Sequence, residues 1–198
     1  MLYSIIRFII VILLFFVLFF IIYKIKPKTI KLFILLDFIL VSLIGIFLYW
    51  YPIENMFINF SSPQDVFTYT NTGEINDIIY GDNSCMIVYS DNSGLQTSFF
   101  KIDNDSYKII TFAQYNSQKF LSKDNTSAEF ITLKGINDCY CFGSIYTTNN
   151  IKITDNLSSD YFTFQIDDNL YNFYGYISNY NEDYTLFVND KKVNFIKN

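Results

Sequence analysis

The hydrophobic pattern divides the chain near residue 51. Residues 8–23 carry no strongly polar side chain, and with residues 2–7 this apolar run reaches 22 residues. A second apolar run of twenty residues covers 32–51. At about 1.5 Å per residue, each run is long enough as a helix for a hydrocarbon core of about 30 Å. Residues 1–51 are therefore predicted to form a transmembrane α-helical hairpin with spans at about 2–23 and 32–51.

The charges around the two runs predict their orientation. Arg7 lies near one end of the first span, where its long side chain can reach the membrane interface. The loop at 24–31 carries four lysines: Lys24, Lys26, Lys28 and Lys31. Residues 52–100 contain no Lys or Arg, so the positive-inside rule places the loop in the cytoplasm and both termini outside. We therefore expect a cell-membrane protein that crosses the lipid bilayer twice.

A cleaved signal peptide is the competing interpretation of the first run. Its short basic start and apolar core are typical of one, but residues 23–27 offer no small-x-small cleavage site. A second apolar span also follows at once. The pattern favours a retained anchor.

Beyond a predicted linker at 52–60, the pattern becomes that of a mainly-β domain covering 61–198. Ser62 and Pro63 predict the start of one short helix that ends near Gly73. Short β-branched and aromatic runs, separated by Asn, Asp and Gly turns, then predict about ten strands, mostly antiparallel. These runs cover 75–80, 85–89, 95–102, 107–112, 130–133, 139–146, 151–154, 161–166, 170–177, 184–188 and 193–196. An antiparallel sandwich or partly closed barrel is favoured, and a mixed sheet with one helix is the alternative.

Composition narrows the function of the domain. Residues 52–198 hold nine lysines and no Arg against 18 acids, which disfavours nucleic acid as a partner. The chain has no His, so the usual general base and the commonest metal ligand are missing. The acidic pairs at 103–105 and 167–168 lack the Gly and Glu of a calcium loop and are read as turn residues. No catalytic residue, metal site or cofactor is predicted, and the expectation is that the protein is not an enzyme.

Asp37 is the one acid within a predicted span. A carboxylate at membrane depth is costly and often functional. Its place six residues beyond Lys31 allows a structural role near the loop lysines or interfacial water. A role in contacting a partner in the membrane is the alternative.

The three cysteines allow two interpretations. Cys139 and Cys141 are two residues apart, so their side chains share one face of a strand, and Cys85 is the remaining thiol. Outside the cytoplasm a disulfide between Cys85 and one of the pair is permitted. Buried thiols that behave as small apolar side chains are the favoured interpretation.

The same Gly-x-Asn-x-Cys pattern precedes Cys85 and Cys139, at residues 81–85 and 135–139. Two β-modules of similar build would explain this repeat. Coincidence in an Asn-rich chain explains it as well.

Aromatic residues are dense toward the C-terminus. An exposed row of tyrosines could stack on sugars or contact a protein partner. The candidate partner-binding residues are Tyr171, Tyr174, Tyr176, Tyr180 and Tyr184.

Two stretches of the domain resemble small uncharacterised proteins of Gram-positive bacteria that are exported as lipoproteins or held by membrane helices. One stretch is residues 62–69 leading to 81–89, and the other is 173–177 leading to 184–190. The resemblance implies an extracytoplasmic β-domain and supplies no catalytic residue. The chain departs from a lipoprotein start, because no lipidated Cys follows the first span.

Together these patterns predict a membrane-anchored cell-envelope protein. Its extracytoplasmic domain is expected to have a non-catalytic binding or structural role, with an envelope protein or a cell-wall glycan as the partner. The alternative is a regulatory or sensory accessory subunit that assembles with another membrane protein through its helices.

Overall fold

The computed structural model describes residues 2–25, 27–111, 114–122, 126–148 and 150–197. Its helices are α1 (Leu2–Ile25), α2 (Ile30–Trp50), a single 3-10 turn (Ile53–Met56) and α3 (Pro63–Thr70). The strands of this part are β1 (Glu74–Tyr80), β2 (Ser84–Asp91), β3 (Gly94–Asp103), β4 (Ser106–Ile109), β5 (Tyr115–Ser122), β6 (Thr126–Leu133), β7 (Cys139–Tyr146), β8 (Ile153–Asp155), β9 (Tyr161–Gln165), β10 (Leu170–Ile177), β11 (Leu186–Val188), β12 (Lys191–Lys192) and β13 (Phe195–Lys197).

The two N-terminal helices match the predicted hairpin. Their apolar segments have mean hydropathies of 3.4 and 2.5, and only 6% and 11% of these segments are buried within the chain. By length and composition, both helices can cross a membrane. Each helix is longer by two residues at the turn than the predicted span, because Lys24 and Lys31 continue the helical backbone.

Helix α3 begins as its sequence predicts. The Ser62 hydroxyl accepts a hydrogen bond from the Asp65 N–H at 3.1 Å, and Pro63 occupies the first turn, where its missing N–H costs nothing. Val66 and Phe67 are buried on the side that faces the sheet. The helix is thus positioned both by its cap and by its apolar face.

The strands form three sheets, and every pairing among the described strands is antiparallel. The first sheet has the order β1-β2-β3-β4, the second β13-β5-β6-β7-β10-β9 and the third β12-β11-β8. The mainly-β antiparallel prediction is therefore confirmed. The predictions for β7 and β10 match the structure to the residue, while residue 112 of the predicted fourth strand lies outside the described residues.

The sequence analysis missed β5 and β12. Strand β5 has the sequence YNSQKFLS, in which apolar and polar residues do not alternate as in a half-buried strand. Four consecutive residues, from Asn116 to Lys119, are exposed. It forms because β6 and β13 supply backbone partners on both sides. Strand β12 has only two residues, both exposed lysines.

Three apolar clusters show how the layers stack. Alternate residues of β2 point to opposite faces, so Cys85 and Ile87 pack against α3 while Met86 and Val88 face the second sheet. The second sheet alternates likewise: Tyr140 of β7 faces the first sheet, and its neighbour Cys141 faces the third. The order is therefore α3, first sheet, second sheet, third sheet.

The segment at 52–60, predicted as a linker, is packed structure. It contains the 3-10 turn with buried Glu54, and buried Phe60 forms a bridge with Tyr107 at the edge strand β4. The Asn55 side chain pairs with both backbone groups of Ile109, at 2.8 and 2.9 Å. These bonds fix the exit of α2 against the first sheet.

Candidate functional site

A buried ion pair joins the hairpin to the domain. The Arg7 guanidinium on α1 donates to both carboxylate oxygens of Glu54, with Nε–Oε1 at 2.9 Å and Nη2–Oε2 at 2.7 Å. Both side chains are more than nine-tenths buried. This bidentate geometry is the strongest form of the Arg–carboxylate interaction.

Arg7 also caps the C-terminus of α2. The last carbonyls of a helix have no partner within it, and a cation is favourable there. The guanidinium donates to the Leu48 carbonyl through Nη1 and to the Tyr51 carbonyl at 3.0 Å through Nη2. Its carbon atom also lies 4.0 Å from the centre of the Tyr3 ring. One side chain thus links the start of α1, the end of α2 and the first turn of the domain.

The predicted topology lysines lie at the other end of the hairpin. Lys24, Lys28 and Lys31 are exposed around the helix–helix turn, and Lys26 lies outside the described residues. Since Arg7 is paired with Glu54, the unpaired positive charge of the described hairpin is concentrated at this turn.

Asp37 lies in the seam between the helices. It is 4% exposed, and neither of its carboxylate oxygens has a hydrogen-bond partner among the residues that the structure describes. Asp37, Val41 and Gly45 recur at four-residue spacing, and Gly45 faces Val11 of α1, which places all three on one helix face. The contact with the loop lysines allowed by the sequence does not form with the lysines that the structure describes, and the role in binding a partner stays a prediction.

The three cysteines are buried free thiols in two different clusters. Cys85 packs against α3, whereas Cys139 and Cys141 share the core between the second and third sheets. Burial raises the pKa of the Cys85 and Cys139 thiols to about 12 and that of Cys141 well above its ordinary value. This arrangement agrees with the favoured interpretation of apolar, unreactive thiols.

We expect the domain to lose stability at alkaline pH. A thiol whose pKa is 9.0 unfolded and about 12 folded stabilises the fold fully below pH 9, and this contribution is lost as the pH rises toward 12. Each such thiol adds a slope of about 1.4 kcal/mol per pH unit in that window. Urea unfolding of the full chain in detergent between pH 8 and 11.5 measures this slope, and Cys139→Ala should make it shallower. A free energy of unfolding that stays flat above pH 9 would contradict the burial argument.

A buried polar cluster connects the first two sheets. The Asp138 Oδ2 atom accepts hydrogen bonds from the Asn83 N–H at 2.9 Å and the Ser84 hydroxyl at 2.5 Å, and Oδ1 accepts one from Tyr176 at 3.3 Å. The Tyr140 hydroxyl lies 2.9 Å from the Ser84 oxygen and donates to it, because the Ser84 proton points to Asp138. Ser84 and Asp138 are fully buried, and their hydrogen bond joins the first sheet to the second.

This cluster also gives the Gly-x-Asn-x-Cys repeat a structural role. Ser84 and Asp138 are the fourth residues of the two copies and bond directly to each other. The glycines differ, however. A β-carbon on Gly81 would lie 2.7 Å from the Tyr140 hydroxyl, whereas Gly135 has open space and a φ of +75°. The two copies meet, but they are not equivalent modules.

A groove of about 920 Å³ lies where the second and third sheets meet. Its aromatic residues form one cluster: the Phe130 ring stacks with Tyr180 at 5.5 Å and contacts the Tyr184 ring edge-on at 5.2 Å. Exposed polar side chains surround them. Those of Gln118, Glu182, Asp183, Lys192 and Asn194 form no hydrogen bond or ion pair within the described part of the chain.

On the side away from the groove, Tyr184 is hydrogen-bonded to a second polar cluster. The Tyr161 hydroxyl donates to Asp155 Oδ2 at 2.9 Å, so the Tyr184 hydroxyl donates to the Tyr161 oxygen. Asp155 Oδ1 in turn accepts the backbone N–H groups of Leu157 and Ser159, both at 2.9 Å. Burial is the main cause that raises the pKa of Tyr161 and Tyr184, so both stay protonated donors.

The predicted tyrosine row is divided by the structure. Tyr180 and Tyr184 line the groove. Tyr174 is buried in the apolar cluster between the first and second sheets, and Tyr176 packs against the same cluster. Tyr171 is half-buried on β10 and does not line the groove. Tyr174 and Tyr176 occupy the face of β10 that the first sheet covers, whereas Tyr180 and Tyr184 lie in the segment that follows this strand.

The sequence analysis did not identify the polar part of the groove. Gln118 comes from the missed strand β5, and Lys192 from the missed strand β12. Their approach to residues 180–185 depends on long-range pairing that no local signal encodes. Among the described residues, no group of three or more Cys, Asp or Glu is placed to hold a metal ion.

Comparisons with protein-family models, with curated proteins and with solved structures found no match.

Proposed function

We propose that this protein is a membrane-anchored envelope protein whose extracytoplasmic domain binds a cell-surface glycan in the groove between the second and third sheets. The groove carries the proposal. It combines clustered aromatic rings with amide, carboxylate and ammonium groups that form no hydrogen bond or ion pair within the described part of the chain. Rings that stack on sugar faces, together with a few polar groups that fix hydroxyls, suit a polar and partly apolar ligand such as a saccharide.

The anchor supports the location. The exposed lysines gather at the helix–helix turn, and the positive-inside rule puts that end in the cytoplasm. The opposite end carries Trp50 and Tyr51, followed by Met56 and Phe57, which are 78% and 80% exposed. Side chains of this kind favour the membrane–water interface. The domain is then held against the outer face of the membrane.

Replacing the groove charges should weaken glycan binding without disturbing the fold. Lys192 lines the groove and Lys191 does not, although both are exposed on the same short strand. We expect Lys192→Ala and Glu182→Gln each to raise the Kd for a bound oligosaccharide about tenfold, since a hydrogen bond to a charged group contributes about 1.5–3 kcal/mol. Lys191→Ala is the matched control and should leave the Kd unchanged.

The measurement is calorimetric titration of the full chain in lipid nanodiscs with β-1,4-linked N-acetylglucosamine oligomers and other neutral oligosaccharides. Binding that is sensitive to Lys192 and insensitive to Lys191 supports the proposal. Saccharides that fail to bind, while extended peptides bind in the same groove, would assign the groove to a protein partner and reject the glycan.

A further inference from the structure

We propose that a cavity at the junction between the hairpin and the first sheet holds one acyl chain of a bilayer phospholipid. The cavity has a volume of about 570 Å³, within the range of about 300–1,000 Å³ typical of ligand sites. This inference rests on the membrane anchorage in the proposed function and is independent of the glycan groove.

The membrane side of the cavity is formed by the hairpin itself. Phe8 and Val11 of α1 and Gly45 and Leu48 of α2 line it. Val11 lies four residues beyond Arg7, which is about 6 Å deeper along the helix. The cavity therefore reaches from the interface toward the hydrocarbon layer.

The opposite side belongs to the domain. Phe99 and Phe100 of β3 and Ile109 of β4, followed by Ile110, line the same space. Protein interiors contain few voids larger than a water molecule, and apolar cavities of this kind stay dry. A space of this size between two apolar walls is suited to an apolar occupant.

The bilayer is the source of that occupant, because the cavity is continuous with the lipid-facing surface. Phe8 lines the cavity and is also 66% exposed on the outer side of α1. An acyl chain from the outer leaflet can thus enter past Phe8 without crossing water. A water-soluble apolar ligand would have no such route.

The polarity of the wall matches a lipid whose acyl chain lies against the hairpin and whose glycerol backbone faces the domain. The deepest part of the hairpin wall, at Phe8, Val11 and Gly45, is apolar, whereas the domain end includes Ser98 and the Asn71 side chain. The Ser98 hydroxyl has no partner among the described residues. Hydroxyl and amide groups at that end can meet the glycerol and ester oxygens of the lipid. The Arg7 guanidinium also lines the cavity, but it already forms an ion pair with Glu54.

A larger side chain at Gly45 would fill the cavity from the hairpin wall, and one at Ser98 would fill it from the domain wall. A β-carbon on Gly45 would lie 3.8 Å from the Val11 side chain, an ordinary contact, so alanine fits while a larger side chain must enter the cavity. We therefore compare Gly45→Phe with Gly45→Ala, and Ser98→Phe with Ser98→Ala. The two filling variants act through different walls, so a folding defect in one leaves the other informative.

The first measurement is native mass spectrometry of the full chain released from nanodiscs of phosphatidylethanolamine and phosphatidylglycerol. We expect one retained phospholipid per chain in the wild type and the two alanine variants, with at least a fivefold lower retained fraction in the two phenylalanine variants. Equal retention in all five proteins would overturn the proposal.

The second measurement uses phospholipid with a photoreactive group on its acyl chain, close to the ester bond. Lipids of the surrounding annulus reach only α1 and α2, whereas a lipid in the cavity must also label peptides containing residues 98–100 or 109–110. Labelling confined to the helices in the wild type would overturn the proposal, even where a filling variant misfolds. Carbonate extraction of cell membranes tests the anchorage separately, so release of the chain into the wash rejects the proposed location rather than the cavity alone.

Discussion

Replacing Arg7 with alanine is expected to lower the free energy of unfolding of the full chain by about 3–5 kcal/mol, because removing one partner of a buried ion pair leaves the other charge uncompensated. The Glu54 carboxylate would keep its buried position and lose two charge-assisted hydrogen bonds. The carbonyls of Leu48 and Tyr51 at the end of α2 would lose their donor as well. The junction between hairpin and domain should be the part that weakens.

The chain carries a suitable probe for this experiment. Trp50 is its single tryptophan, and its carbonyl accepts a hydrogen bond from Thr111 at 3.0 Å, directly at the junction. Thermal unfolding in nanodiscs, followed by Trp50 fluorescence and by circular dichroism, separates loosening of the junction from loss of the sheets. Lys24→Ala is the matched control, since it removes one exposed charge from the far end of the same helix.

A double-mutant cycle isolates the ion pair. Glu54→Ala alone should cost about as much as Arg7→Ala, because it leaves the guanidinium buried without its counter-charge. Arg7→Ala combined with Glu54→Ala should cost less than the sum of the two single changes, since the double variant leaves no uncompensated charge. Arg7→Met combined with Glu54→Leu should cost less still, since it replaces the pair by apolar side chains of similar volume. Costs that add independently would show that the two side chains are not coupled.

The sequence contains a signal for this ion pair. Arg7 lies near the outer end of the first span, and a two-helix hairpin returns the chain to the end where it started. The first acid after the second span, Glu54, must therefore lie near the first basic residue of the first span. The same antiparallel logic places Lys24 and Lys31 together at the turn.

The parts of the fold that were predicted correctly have strong local patterns. Strands β7 and β10 carry aromatic or aliphatic residues on both faces, and their predicted bounds match the structure. Strand β5 has no such pattern and exists because β6 and β13 pair with it. The packed structure of residues 52–60 was not predicted for a similar reason, since Asn55 and Phe60 are ordered by contacts with β4, far along the chain.

The candidate groove shows the same limit. Its aromatic half was found from the density of tyrosines, although Tyr174 and Tyr176 had to be separated from Tyr180 and Tyr184 by the position of the first sheet. Its polar half comes from three distant segments and could not be inferred. Long-range pairing decides which exposed charges meet, and local composition does not record it.

Asp138 is the point at which loss of one side chain should damage the domain most. Its carboxylate is fully buried and accepts hydrogen bonds from Asn83, Ser84 and Tyr176, so it joins the β1–β2 turn to β7 and β10. A buried donor left without an acceptor costs about 1–3 kcal/mol. Asp138→Ala removes the acceptor of both the Ser84 hydroxyl and the Asn83 N–H.

We therefore expect Asp138→Ala to lower the free energy of unfolding by about 3–5 kcal/mol, since the buried Ser84 hydroxyl and the part-buried Asn83 N–H lose their acceptor and a small cavity remains. Asp138→Asn should cost less, because its amide oxygen keeps one acceptor in place. Asp168→Ala removes an acid from an exposed turn and should change stability by less than about 0.5 kcal/mol. Urea unfolding of the full chain in detergent, followed by near-ultraviolet circular dichroism, measures all three. If Asp138→Ala unfolds at the same urea concentration as Asp168→Ala, the buried cluster does not hold the two sheets together.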